Sequence, residues 1–120
     1  MRDIVARELG RFANKVRWSL AGWRAAWASE TSLRQWTGVN LLSAALAFLL
    51  DLTTAERALI LALGLAILAA ELFNTAIEEI VDRLSPEEAA WAKKAKDCGS
   101  AGVALTALAG GVAWLVVLLS

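Results

Sequence analysis

A chain of 120 residues with twelve acidic and twelve basic side chains is one domain at most, and its zero net charge gives a nucleic-acid backbone no electrostatic hold. A hydrophobic fraction of 58% and a mean hydropathy of +0.55 belong to an integral membrane protein rather than a soluble one. Histidine is absent and Cys98 is the sole cysteine. That combination excludes an internal disulfide, a Cys/His zinc site, imidazole acid–base chemistry and a Ser-His-Asp triad.

Residues 1–29 read as an amphipathic helix. Val5, Leu9, Phe12, Val16 and Leu20 recur at helical spacing, Arg7, Arg11, Lys15 and Arg17 cover much of the remaining surface, and Trp18, Trp23 and Trp27 follow. Basic residues and tryptophans in this pattern predict a helix lying in the membrane interface. Ser29-Glu30-Thr31-Ser32 breaks the pattern, with Ser29 or Thr31 available to cap the next helix. Residues 33–50 form a first span reaching roughly 27 Å, enough for most of a bilayer core. Asp51-Leu52-Thr53-Thr54-Ala55-Glu56 is a polar turn in which Thr53 or Thr54 caps a helix with an acid in its first turn.

A second span is predicted over 57–83. Residues 58–70 are apolar throughout, about 20 Å of helix, which places Glu71 within or at the edge of the hydrocarbon. Leu84-Ser85-Pro86-Glu87-Glu88 predicts the end of that helix and the start of another, with Ser85 as N-cap, Pro86 in the first turn, and Glu87 and Glu88 set against the helix dipole. Residues 87–97 form a charged helix start. Residues 100–119 carry no charge and make a third span, rich in Gly and Ala in its first half, as suits close helix packing in lipid. Lys and Arg concentrate before the first span and between the second and third. The positive-inside rule then puts the N-terminus in the cytoplasm and the C-terminus outside.

Glu71, Asn74, Glu78 and Asp82 share one stripe of the second span. An ionised carboxylate at membrane depth costs roughly 2.5–3.5 kcal/mol on insertion scales. Glu71 therefore needs either a Lys or Arg partner or a function, and the extension of the stripe through Asn74 and Glu78 favours function. Carboxylates with a Lys96-Asp97 pair and no histidine suit a magnesium–phosphate site, because Mg2+ takes oxygen ligands from one or two carboxylates plus substrate phosphates. Phosphoryl transfer also needs a base for the acceptor hydroxyl. Glu71 fits the base, Glu78 a metal ligand with Glu30 as a second, and Lys96 the nucleotide phosphates. Neither a Walker-type loop nor Gly-x-Gly-x-x-Gly is present. Spacing alone leaves a membrane enzyme and a proton-coupled transporter both open.

Glu71-x-x-Asn74-Thr75-Ala76-Ile77-Glu78-x-x-x-Asp82, followed by Ala95-Lys96-Asp97-x-Gly99-Ser100-Ala101, resembles the signature of the bacterial integral-membrane diacylglycerol kinase family. Trp23-Arg24-Ala25-Ala26-Trp27, Glu30 and Arg34-Gln35 resemble that family's N-terminal segment, so the likeness covers nearly the whole chain. The resemblance implies an all-α homotrimeric bundle, with three transmembrane helices and one surface helix per chain and active sites shared between chains. It implies use of ATP and Mg2+ to phosphorylate a membrane lipid in the bacterial inner membrane. By the same likeness Glu71 is the catalytic base with Asn74 beside it, and Glu30 and Glu78 hold the metal. Arg11, Trp18, Glu30, Glu78, Lys96 and Asp97 contact the nucleotide, with Glu87 and Glu88 near it. Arg11, Ser19, Arg24, Ala25, Ala26, Trp27, Gln35, Arg57, Glu71 and Ser100 surround the lipid. Two positions depart from the family pattern: Trp36 stands where an acid is common and Trp18 where an aromatic hydroxyl is common. Both suit interfacial anchoring. A second branch of the family phosphorylates undecaprenol, and the Arg24–Trp27 and Lys96–Ser100 runs look more like the diacylglycerol branch. The reading from another class is a small oligomeric proton or ion transporter, and a structural partner subunit is a third.

Overall fold

The computed structural model describes residues 1–120 and is built of four helices, α1 (Arg2–Ser29), α2 (Thr31–Leu49), α3 (Thr54–Leu84) and α4 (Ala90–Leu119). The chain divides into two compact units, Met1–Glu30 and Thr31–Ser120.

The first unit is α1, uninterrupted over 28 residues. It ends at Glu30, whose backbone turns extended (φ −110°, ψ 106°) while its N–H still bonds to the Ala26 carbonyl at 2.7 Å. Val5, Leu9, Phe12, Val16 and Leu20 are exposed together along one stripe. Trp23 and Trp27, one turn apart, stack with ring centroids 5.8 Å apart. Thr31 is the first residue of α2 rather than a cap in front of it.

In the second unit α3 packs against both α2 and α4. α2 and α3 run antiparallel. The hairpin between them closes on a capping box: the Glu56 N–H donates to Thr53 Oγ1 at 3.2 Å, and the Thr53 N–H donates to Glu56 Oε1 at 2.8 Å. These are two orphan donors satisfied reciprocally, as the Thr53–Glu56 spacing predicts. Arg57 then folds back over the end of α2. Its Nε donates to the Ala47 carbonyl at 2.7 Å, its Nη2 to the Leu52 carbonyl at 3.3 Å, and its guanidinium lies 5.4 Å from the Phe48 ring centroid. Carbonyls at a helix C-terminus lack partners and carry partial negative charge, so a guanidinium is well matched to them.

Beneath this closure lies a small core of Ala47, Ile60 and Ala113, covered by Leu52, Leu61, Leu63, Trp114 and Val117. Polar bonds set the register above it. Asn40 Nδ2 donates to the Gly64 carbonyl at 2.9 Å, and a Cβ at Gly64 would sit 3.1 Å from Asn40 Oδ1. Trp114 Nε1 donates to Ser43 Oγ at 2.8 Å, tying α4 to α2. A cavity of about 260 Å³ opens between these helices, lined by Trp36, Asn40, Ser43, Gly64, Thr106 and Trp114 among others.

The outward faces are apolar and uncovered. Leu41, Leu42, Phe48, Leu65, Phe73, Leu105, Leu108, Leu115 and Val116 are all exposed. Apolar surface on that scale belongs against lipid or another chain. Two helices, α3 and α4, are long and apolar enough to cross a membrane. α2 does not reach the same mark, because Ser32, Arg34, Gln35, Thr37, Asn40 and Ser43 dilute it.

The third connection differs from its sequence pattern. Ser85 and Pro86 do not start a helix; Ser85 is the C-cap of α3, and α4 begins only at Ala90 with Ala89 in the cap position. The Ser85 hydroxyl donates to the Glu87 carbonyl at 2.6 Å, forming a local turn that competes with helix entry. α4 then continues through Gly99-Ser100 without a break, so the charged start and the apolar span are one helix.

Replacing Arg57 by alanine strips two carbonyls of their donors. The variant should lose roughly 2 kcal/mol of stability, and Arg57→Lys should recover less than half of it because an ammonium lacks the planar fork. Unfolding in mixed detergent micelles measures both.

Candidate active site

Glu71 is 5% exposed, directly after the apolar stretch 58–70, where α3 meets the start of α2. Its partner is a hydroxyl and not a cation: Ser32 Oγ donates to Glu71 Oε2 at 3.0 Å. The ion pairs of the protein lie elsewhere, at Arg11–Glu8, Lys93–Asp97 and Lys96–Asp82. A structural Glu–Lys or Glu–Arg pair inside the helices is thus not what holds this carboxylate. Thr75 Oγ1 bonds back to the Glu71 carbonyl at 2.9 Å, which fixes the backbone at the same turn.

One turn on, Asn74 Nδ2 donates to Glu78 Oε1 at 3.3 Å. The Asn74 side-chain oxygen is buried and has no hydrogen-bond partner. It points at α4, where Gly99 passes so closely that a methyl group there would overlap it. Absence of a side chain at Gly99 is what lets α3 and α4 approach at the level of the polar stripe. Gly99 belongs to the motif read from sequence, but its role is visible only across the two helices.

Further along, Lys96 Nζ donates to Asp82 Oδ1 at 2.8 Å and Lys93 Nζ to Asp97 Oδ2 at 2.6 Å. The hydrogen bond to Asp82, then its charge, hold the Lys96 ammonium above its ordinary pKa range, with smaller contributions from Glu78 and Glu88. Asp97 does the same for Lys93. A polar cavity of about 360 Å³ lies here, lined by Asp82, Glu87, Glu88, Lys93, Lys96 and Asp97 among others. The structure therefore gathers four of the eight residues expected at a nucleotide, Glu87, Glu88, Lys96 and Asp97, around one space, and Glu78 does not line it. Asp82 and Lys93 join them.

Other expected site residues are not brought to that space. Arg57 sits about 21 Å along α3 from Glu71 and spends its donors on one α2 carbonyl, Ala47, and one carbonyl of the following turn, Leu52, so it is a clamp at the opposite end of the bundle and not a neighbour of Glu71. Gln35 and Ser100 are exposed on α2 and α4. Arg11, Trp18, Ser19, Arg24, Ala25, Ala26, Trp27 and Glu30 belong to the first unit. There Arg11 pairs with Glu8 at 3.0 Å, the Ser19 hydroxyl bonds its own helix at the Lys15 carbonyl, and the Ser29 hydroxyl donates to Glu30 Oε1 at 3.3 Å. No group of three acids forms a ready metal cage. Ser32 was not legible as a site residue, since it lies 39 positions from Glu71 and no spacing rule connects them.

In sign, the α3 stripe of Glu71, Glu78 and Asp82 is acidic, and it is offset locally by Lys96. A bare polyphosphate would be repelled by such a surface, whereas a divalent cation carrying phosphates would not. A family model described as "Prokaryotic diacylglycerol kinase" matches residues 17–118. The chain belongs to the prokaryotic diacylglycerol kinase family. It is an enzyme of that class, and a membrane protein. A relative named diacylglycerol kinase in Pseudomonas aeruginosa is 45% identical over 113 residues, covering 92% of this chain and 90% of the relative. The protein of that name in Escherichia coli K12 is 33% identical over 110 residues, with 92% and 90% covered. The one in Haemophilus influenzae is 33% identical over 106 residues, with 88% and 90% covered.

For this kinase the Gly99 contact makes a sharp expectation. Gly99→Ala must push the Asn74 amide off Glu78 or spread α3 from α4. Overpacking of this kind costs about 1–3 kcal/mol, and turnover should fall at least roughly tenfold because the Asn74–Glu78 bond is lost with it. A phosphate-transfer assay beside a thermal melt in micelles separates the two effects.

Proposed function

We propose that this kinase transfers the γ-phosphoryl group of ATP to the primary hydroxyl of 1,2-diacylglycerol, yielding phosphatidic acid and ADP at the cytoplasmic face of the bacterial inner membrane. The observation that carries the reading is Glu71: a buried carboxylate in an apolar helix, with a neutral hydroxyl for a partner. Such a group can face a lipid hydroxyl as a base, whereas an acid locked to a guanidinium is already occupied. The acceptor identity rests on the family and on the printed name of its relatives.

In the mechanism Glu71 takes the proton of the lipid hydroxyl as its oxygen attacks the γ-phosphorus, and the bond to the β–γ bridging oxygen breaks. Asn74 steadies Glu78 through its amide. Lys96, held beside α3 by Asp82, supplies positive charge to the phosphates. Glu78 and Glu30 would hold Mg2+, which when bound offsets phosphate charge; the acidic stripe suits that donor chemistry. The lipid tails stay in the bilayer while the headgroup meets Glu71 near its edge.

The working form is a homotrimer with shared sites, each chain contributing α2, α3 and α4 as transmembrane helices and α1 as a surface helix. Three slender helices with exposed apolar faces cannot enclose both a nucleotide and a lipid, so neighbouring chains complete the enclosure. Lys and Arg placement sets the N-terminus inside and the C-terminus outside.

Glu71→Gln should reduce kcat by about three orders of magnitude with ATP affinity largely kept, measured by labelled-phosphate transfer in lipid–detergent micelles. Full turnover in that variant would remove Glu71 as the base. Glu78→Gln should raise the magnesium needed for half-maximal rate by roughly tenfold or more. Undecaprenol offered beside diacylglycerol tests the acceptor: equal or faster phosphorylation of the polyprenol would move the chain to the other branch. Ion flux in sealed vesicles without ATP consumption would favour a transporter.

A further inference from the structure

We infer that Ser32 is a positioning residue for phosphoryl transfer, aiming the Glu71 carboxylate at the acceptor hydroxyl. The inference rests on Glu71 being the base, as proposed above. A carboxylate on a long side chain has rotational freedom about its terminal bonds, and a base serves only when one oxygen lies within hydrogen-bond reach of the proton it removes. The Ser32 hydroxyl occupies Oε2 at 3.0 Å. No other side chain of the protein donates to this carboxylate, so Oε1 is the oxygen left for the lipid hydroxyl.

The position of Ser32 is itself fixed. It is the second residue of α2, and the next one, Leu33, is completely buried. A serine in the first turn of a helix ordinarily turns its hydroxyl to a nearby backbone group. This one reaches across to α3 instead, 39 residues away. Neighbouring polar groups do not compete for the role. Asn74 turns its amide to Glu78, Thr75 bonds to its own helix, and the Arg34 guanidinium donates to Thr31 Oγ1. Being a neutral donor matters. A lysine or arginine at position 32 would take up the carboxylate in an ion pair, whereas a hydroxyl orients it through one oxygen and leaves the other open.

The test uses the full-length protein in lipid–detergent micelles, with Ser32→Ala, Ser32→Thr and Ser32→Val. Threonine and valine share a shape and differ by the hydroxyl. Alanine and valine should each lower kcat by about tenfold, with KM for ATP and for diacylglycerol within about twofold of the parent. Threonine should recover at least about half of the parent kcat. In a Glu71→Gln background, Ser32→Ala should add no further loss, because the two residues act as a unit. If the alanine variant folds poorly, the threonine–valine pair decides alone. Valine as active as threonine, a parent-like kcat in Ser32→Ala, or a loss confined to KM would each overturn the assignment while leaving Glu71 as base. A fully active Glu71→Gln would overturn both.

Discussion

A carboxylate buried in an apolar helix dictates much of what surrounds it. Glu71 can be accommodated only where a polar partner arrives at the same depth, and that partner stands at the beginning of α2. The start of α2 must therefore lie beside the later part of α3, which forces the two helices to run antiparallel. The capping box at Thr53 and the Arg57 clamp meet the same demand from the other end, closing the hairpin tightly enough to keep Ser32 level with Glu71. α4 is subject to a related constraint, since it can come up against Asn74 only by presenting Gly99.

The bundle is consequently uneven along its length. At the hairpin end, aliphatic side chains, an aromatic ring and a guanidinium make a compact closure around Ala47, Ile60 and Ala113. At the opposite end, charged pairs surround a polar space that backs onto buried Val81 and Ala92. Stability and chemistry are thus assigned to different ends. Function tolerates an under-satisfied atom such as the Asn74 oxygen at one end because the other end holds the helices together.

The helices were legible because their signals are local. Apolar runs, the Thr53–Glu56 capping pair and the polar stripe on α3 all follow from residues within a few positions of one another. The Ser85-Pro86 pattern departs from the structure for a local reason too: a Ser-Pro-acid run serves a turn as readily as a helix entry, and here the hydroxyl commits to the turn. Family likeness gives Arg57 to the lipid, whereas its side chain donates to the carbonyls of Ala47 in α2 and Leu52 in the turn. Ser32 and the spatial role of Gly99 were beyond reach, because each depends on which helix faces which. That choice is set by packing across the bundle and leaves no periodicity in the chain.

The α3–α4 hairpin behaves as a gauge with two marks. Asn74 against Gly99 and Asp82 against Lys96 fix the same alignment at separate heights, and the turn at 85–89 leaves little slack between them. Sliding either helix by one turn, about 5.4 Å, would set a side chain against the Asn74 oxygen and part the ammonium from its acid at once. Intermediate offsets satisfy neither mark. Whatever motion accompanies turnover must leave this pair of helices travelling as one piece.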